Sequence, residues 1–361
     1  MKIACLQFAP EVGKVQENIA KANHILERDN VSGVDILVLP EMAFSGYNFL
    51  SPEAITPFLE PTKSGTSTQW AIKTATRLNC IVMVGYPEVD ISETKMASTF
   101  SSLPNSSVRL TTPQEAPADT SPSAELDTSS PRRYNSLVTV SPTGAILAHY
   151  RKSFLFYTDE TWASENPLGF LTSALCPLPT PPSLAASTTS PSSFSSSSSN
   201  DYLARVTQGI CMDINPYRFL APPDAFEFAN HVLATSSRLA IISMAWLVLS
   251  SPEEWIEETR EHAEELEIST LTYWVGRLRP LVENEGGKIV VVCANRTGIE
   301  GEACYAGSST VMKLGGGNVE IMGYLGRGAE SVLVVDLEEE PKYQLRIGPA
   351  EEMGEGDRQG D

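Results

Sequence analysis

In the stretch VTQGICMDINPYRF, residues 206–219, an apolar run ends on Cys211 and passes at once into Met-Asp-Ile-Asn-Pro. A thiol placed where a strand breaks into a turn is held rigidly and still faces a cleft, which suits a nucleophile. Two other reactive groups end apolar runs in the same way. Glu41 follows Pro40 in ILVLPEMAFSGY, and Lys152 closes AILAHYRK just ahead of the aromatic-rich SFLFYTDETW. A thiol is slow until a base takes its proton or a cation lowers its pKa, and these are groups of those two kinds. Each has an ordinary reading when taken singly: an inert core cysteine, a loop-positioning carboxylate, a solvated lysine. Three of them at strand ends, where open α/β sheets bind their ligands, point to one site. Cys5, Cys80 and Cys293 also lie in apolar runs and are expected in the core.

The elements that must position these groups alternate along the chain. KIACLQFA, VDILVLP, CIVMVGYPEV, YNSLVTVS, AILAHYRK, ARVTQGIC, LAIISMAW and KIVVVCAN read as strands, most of them too uniformly apolar to have a wet face. Between them, residues 14–29 place Val15, Ile19, Ala22 and Ile25 at helical spacing. Residues 66–80 repeat the pattern with Trp70, Thr74 and Leu78 on one stripe and a Thr or Ser cap. Further helices are expected over 224–234 and within 252–284. The pattern predicts a layered α/β fold whose sheets are covered on both faces. Residues 91–131 and 177–200 are rich in Ser, Thr and Pro and nearly empty of large apolar side chains, so they read as disordered insertions in surface loops of one domain. That domain is expected to span 1–340, with an acidic tail over 341–361.

Of the 361 residues, 42% are apolar, enough for a substantial core, and the formal charge is −19. An acidic balance of that size argues against non-specific binding to nucleic acid or to an anionic membrane. The six cysteines are widely spaced, without a C-x-x-C pair, and there are four histidines, so neither a metal site nor a disulfide framework is expected. The short apolar run in MKIACLQFAPEVG lacks the form of a signal peptide, and no run reaches membrane-spanning length. A cytoplasmic protein with free thiols is the default expectation.

LVLPEMAFSGY, YRKSFLF and GICMDINPYRF, in that order, resemble the three catalytic motifs of the nitrilase superfamily, the carbon-nitrogen hydrolases with a Glu-Lys-Cys triad. CANRTGIEGEACYAGSSTVM (293–312) is similar to that family's late strand and turn, and KIACLQFAPEVGKVQENIAKA to its first strand and helix. The resemblance implies a four-layer αββα sandwich and an amide hydrolase that needs no metal or organic cofactor. Cys211 would attack the carbonyl, Glu41 would carry the proton, and Lys152 with the backbone N–H of Met212 would stabilise the oxyanion. It also implies a second acid after Lys152, for which Glu160 and Glu165 are both placed and Glu165 is preferred. Asp213 has two readings, a carboxylate for a substrate amine or a brace for the Asn-Pro turn. Within the superfamily the motifs are most similar to the fungal N-terminal amidases. That likeness implies hydrolysis of the side-chain amide of N-terminal Asn or Gln of proteins, feeding N-degron-dependent degradation. The partners would then be protein or peptide N-termini, and an oligomer is compatible with the family. An omega-amidase or carbamoylase acting on small amides shares the triad, and an inactive binding scaffold is the non-enzymatic alternative. A papain-like protease would need His149 or His231 as partner for Cys211.

Overall fold

The computed structural model describes residues 1–91, 131–176 and 199–346. Nearly all of the two expected insertions, and of the tail after Arg346, lies outside those residues. All eight apolar runs form strands, and they divide between two sheets. In the first sheet the order is Ser331–Asp336, Lys2–Gln7, Ile36–Val38, Ile81–Asp90, Arg132–Val140 and Ile146–Arg151, with Glu60–Pro61 also paired to Ile81–Asp90. In the second it is Tyr343–Arg346, Asn318–Tyr324, Thr310–Gly315, Ile289–Ala294, Leu239–Ser243, Val206–Ile210 and Leu171–Ser173. The central three strands of each sheet are parallel, and antiparallel strands flank them.

Strand alternation decides which side chains meet the other sheet. In the first sheet Ile3, Cys5, Ile36, Val38, Met83, Leu137 and Tyr150 pack toward the second sheet. Their neighbours Ala4, Leu6, Leu37, Val82, Val84 and Val138 pack outward against the helices Val15–Arg28 and Thr66–Leu78. The far side of the second sheet is covered by Glu227–Ala234, Ile268–Arg277 and Arg279–Val282, through Phe228, Val232, Leu271, Trp274 and Leu281. The result is the expected four-layer αββα sandwich. Cys5 and Cys293 sit in the inter-sheet core and Cys80 beneath the outer helices, and burial pushes the Cys5 and Cys80 thiols up to about 12.

Three details differ from expectation. The helix over 66–78 takes no cap from its own Thr or Ser. The carboxylate of Glu60 accepts from the Ser67 N–H at 2.8 Å and the Ser67 hydroxyl at 2.6 Å. The strands after residue 300 escape the periodicity reading, although the glycines at 315–317, all at positive φ, make the hairpin between Thr310–Gly315 and Asn318–Tyr324. The last strand, Tyr343–Arg346, lies beyond residue 340, because its backbone completes the edge of that hairpin.

The strand ends of the two sheets converge. The Ser243 hydroxyl donates to the Leu39 carbonyl at 2.9 Å, and the Glu41 N–H donates to the Met244 carbonyl at 3.3 Å. The turn carrying Glu41 lies directly on Gly85, whose carbonyl accepts the Ala43 N–H at 3.1 Å. A Cβ at position 85 would stand 2.7 Å from the Met42 nitrogen and 2.9 Å from the Glu41 Cα, so only glycine fits there. Gly85→Ala is therefore expected to destabilise the fold by about 1–3 kcal/mol. Urea unfolding checks this, and an unchanged midpoint would show that the turn is free to move away.

Candidate active site

Lys152 follows strand Ile146–Arg151 and is fully buried. Its Nζ donates to Glu41 Oε1 at 2.6 Å and to Asp159 Oδ2 at 2.5 Å. Burial opposes a charge on Lys152, but Asp159 and then Glu41 outweigh it and hold the ammonium well above the ordinary lysine pKa. Glu41 is also fully buried. Its pKa is raised by that burial, with Lys152 pulling the other way. Asn135, on strand Arg132–Val140, donates through Nδ2 to Glu41 Oε1 at 2.6 Å and to Asp159 Oδ1 at 3.0 Å.

Cys211 ends strand Val206–Ile210 and opens a 3₁₀ turn over Cys211–Ile214. Its φ is +39° and that of Met42, next to Glu41, is +46°, so non-glycine backbone is strained on both sides of the site. Burial, and next Glu41, push the thiol well above its ordinary pKa, while Lys152 and the Ala245 N–H act to lower it. The resting group is accordingly a neutral thiol in the neighbourhood of the Glu41 carboxyl group. Attack by such a thiol must be coupled to transfer of its proton. The N–H of Met212 belongs to the first residues of the turn, which have no acceptor within it, and Met212 is among the residues that line the cleft.

Three carboxylates expected at the site lie elsewhere. Glu165 pairs with the Tyr217 hydroxyl at 2.9 Å and with Arg218 at 3.3 Å, and Glu160 is exposed. The carboxylate that reaches Lys152 is Asp159, because the short helix Tyr157–Glu160 turns Asp159 inward and its neighbour outward. Asp213 is buried and accepts from the N–H groups of Ser153, Phe154 and Ile210 and from the Tyr150 hydroxyl. Burial raises it to about 6. It stitches the Cys211 turn to the loop after Lys152 and is not part of the cleft wall. His149 lies against Glu88 and His231 against Thr172, each at 3.1 Å, away from Cys211.

Cys211 opens into a cavity of about 740 Å³ whose walls include Tyr47, Phe156, Asn215, Trp246 and Tyr273. The carboxylates on its wall are Glu258, paired with Arg327 at 2.8 Å, and Glu267, which accepts the Ser269 and Thr270 N–H groups. Tyr47 was not apparent in the sequence. Its hydroxyl donates to Asp159 Oδ2 at 3.1 Å, and its ring lies 5.5 Å from Lys152 Nζ. The Glu300 carboxylate holds this loop through the N–H groups of Tyr47 and Asn48, and is itself paired with buried Arg296. Among the described residues no group of three or more His, Cys, Asp and Glu is arranged to hold a metal ion.

Glu41, Lys152 and Cys211 all stand just after strands, with Glu41 and Lys152 hydrogen-bonded to each other. Residues 2–215 match the carbon-nitrogen hydrolase family, and the chain belongs to it. It is 32% identical to the protein N-terminal amidase of Schizosaccharomyces pombe over 353 residues, covering 94% of this chain and all of that one. The protein N-terminal amidase of Saccharomyces cerevisiae is 29% identical over 252 residues, 68% of this chain and 45% of its own. Among solved structures, an N-terminal amidase with a Gln-Gly peptide superposes with a TM-score of 0.70 at 20% identity, covering 97% of this chain and 99% of that one.

The two carboxylates after Lys152 can be told apart by stability. Asp159→Asn leaves a buried ammonium short of a partner and is expected to cost about 3 kcal/mol. Glu165→Gln, at a partly exposed pair, is expected to cost less than about 1 kcal/mol. Urea unfolding of both variants checks the contrast, and equal losses would contradict the placement of Asp159.

Proposed function

We propose that the chain is a protein N-terminal amidase, which hydrolyses the side-chain amide of N-terminal Asn or Gln to the acid with release of ammonia. The observation that carries the reading is the buried Glu41–Lys152 pair, 2.6 Å apart, beside a thiol that opens into the cleft. The identity to the Schizosaccharomyces pombe enzyme along its whole length supports the choice of substrate. A cavity of about 740 Å³ supports it too, having room for a peptide segment beyond the reacting amide.

In this reading Cys211 Sγ bonds to the amide carbon as Glu41 takes the thiol proton. The oxyanion is met by the Met212 N–H and by the Lys152 ammonium, which has one proton free of Glu41 and Asp159. Glu41 returns its proton to the departing nitrogen, the C–N bond breaks, and a thioester and ammonia form. Water then attacks the thioester with Glu41 again as base, releasing the carboxylic acid and restoring the thiol. Asp159 keeps Lys152 charged throughout. The acidic N-terminus so produced would feed N-degron-dependent degradation, a role that fits a cytoplasmic protein. No described helix is long and apolar enough to cross a membrane.

Mass spectrometry of peptides beginning with Asn or Gln, beside N-acetylated copies and a small 2-oxo acid amide, tests the reading. Gain of acid only in the free-amine peptides is expected, and turnover of the small amide alone would replace the substrate. Cys211→Ala is expected to abolish turnover, and full residual activity would overturn the mechanism. Because burial raises Glu41, and the base must be ionised to accept the proton, kcat/KM should fall as pH drops through a value above the ordinary glutamate 4.5. An acid limb at or below that value would remove Glu41 as the base.

A further inference from the structure

Two carboxylates flank Lys152, and the reaction uses only one as base. Both oxygens of Asp159 are engaged, Oδ1 by Asn135 and Oδ2 by Lys152, Tyr47 and the Phe156 N–H. On Glu41, Oε1 takes both Lys152 and Asn135, whereas Oε2 is buried with no partner among the described residues. We propose that Asn135 is a positioning residue for the base: its amide fixes Glu41 through Oε1, leaving Oε2 as the oxygen that receives the Cys211 proton.

The side chain is suited to this by chemistry and by place. One amide NH₂ has two protons, and here each goes to a different carboxylate, at 2.6 and 3.0 Å. The opposite amide orientation would aim Oδ1 at two carboxylates, so the electrostatics fix the assignment. Oδ1 itself has no partner, so the contacts that hold the group run through its NH₂. Asn135 cannot drift, because its carbonyl accepts the Lys152 N–H at 2.8 Å and it is fully buried. A donor to a carboxylate favours the ionised form, so losing it makes Glu41 hold its proton to higher pH. The other ionisable groups around Glu41 are Lys152, Asp159, Cys211, Tyr47 and Tyr305. Of these, Asp159 also loses a donor by a change at 135, but it keeps Lys152, Tyr47 and the Phe156 N–H on Oδ2.

The inference rests on the amidase reading only where turnover is measured. Asn135→Ala and Asn135→Ser are compared with the unchanged chain by the pH dependence of kcat/KM and by that of Cys211 alkylation with iodoacetamide, read by peptide mass spectrometry. Alkylation needs no knowledge of the substrate, so a chain that turned over no peptide would sink the substrate assignment without touching this test. In Asn135→Ala the acid limb of both profiles is expected to move up by about one pH unit, and kcat to fall at least tenfold with KM within about threefold. Asn135→Ser retains one donor proton, and its limb is expected between the two. Should the alanine variant fail to fold, as judged by circular dichroism, the serine variant decides alone. Limbs that stay in place while rates fall equally at every pH would show that Asn135 only supports the fold, and would overturn the proposal.

Discussion

The ammonium of Lys152 is the constraint from which the rest of the site follows. Such a group has no place inside a protein unless carboxylates meet it, because the desolvation penalty is several kcal/mol. Glu41 and Asp159 meet it from opposite ends of the chain's first half. Burial first, and then the negative charge of two carboxyl groups against one ammonium, keep the neighbouring thiol protonated. In the proposed reaction, a thiol so held keeps its proton until an amide develops negative charge beside Lys152.

This arrangement requires the turn after strand Ile36–Val38 to be held at both ends. At one end it lies on Gly85, where the absence of a side chain lets two backbones touch. At the other, Glu300 gathers the Tyr47 and Asn48 N–H groups, and the charge it carries is met by buried Arg296. The positive φ of Met42 lies between these fixed points, which permit it.

The layered α/β architecture was legible from local patterns, and its four-layer form followed from the resemblance of the motifs. Uniformly apolar runs mark strands covered on both faces, and Glu41, Lys152 and Cys211 stand where such runs stop. Asp159 was missed for Glu160 and Glu165 because the choice among neighbouring acids depends on which way a four-residue helix faces, a matter of tertiary packing. Asn135 depends on strand register, which sets Ser136 opposite Arg151 and so brings Asn135 beside Lys152. Its one visible sign is a polar residue in step with the inward-facing Leu137. Asp213 was expected at the substrate, with a structural brace as its other reading; its oxygens instead face the backbone donors of Ser153, Phe154 and Ile210.

The anchoring of the Glu41 turn by Glu300 ties the site to contacts of long sequence separation. Tyr47 and Glu300 are 253 residues apart, and Glu41 and Lys152 are 111 apart. Strand Val206–Ile210, which ends in the nucleophile, pairs with Leu239–Ser243, and that strand in turn with Ile289–Ala294. Closing loops of this length is an entropic expense met only when both sheets dock together. The site is therefore assembled from segments far apart in the chain and depends on both sheets being in place.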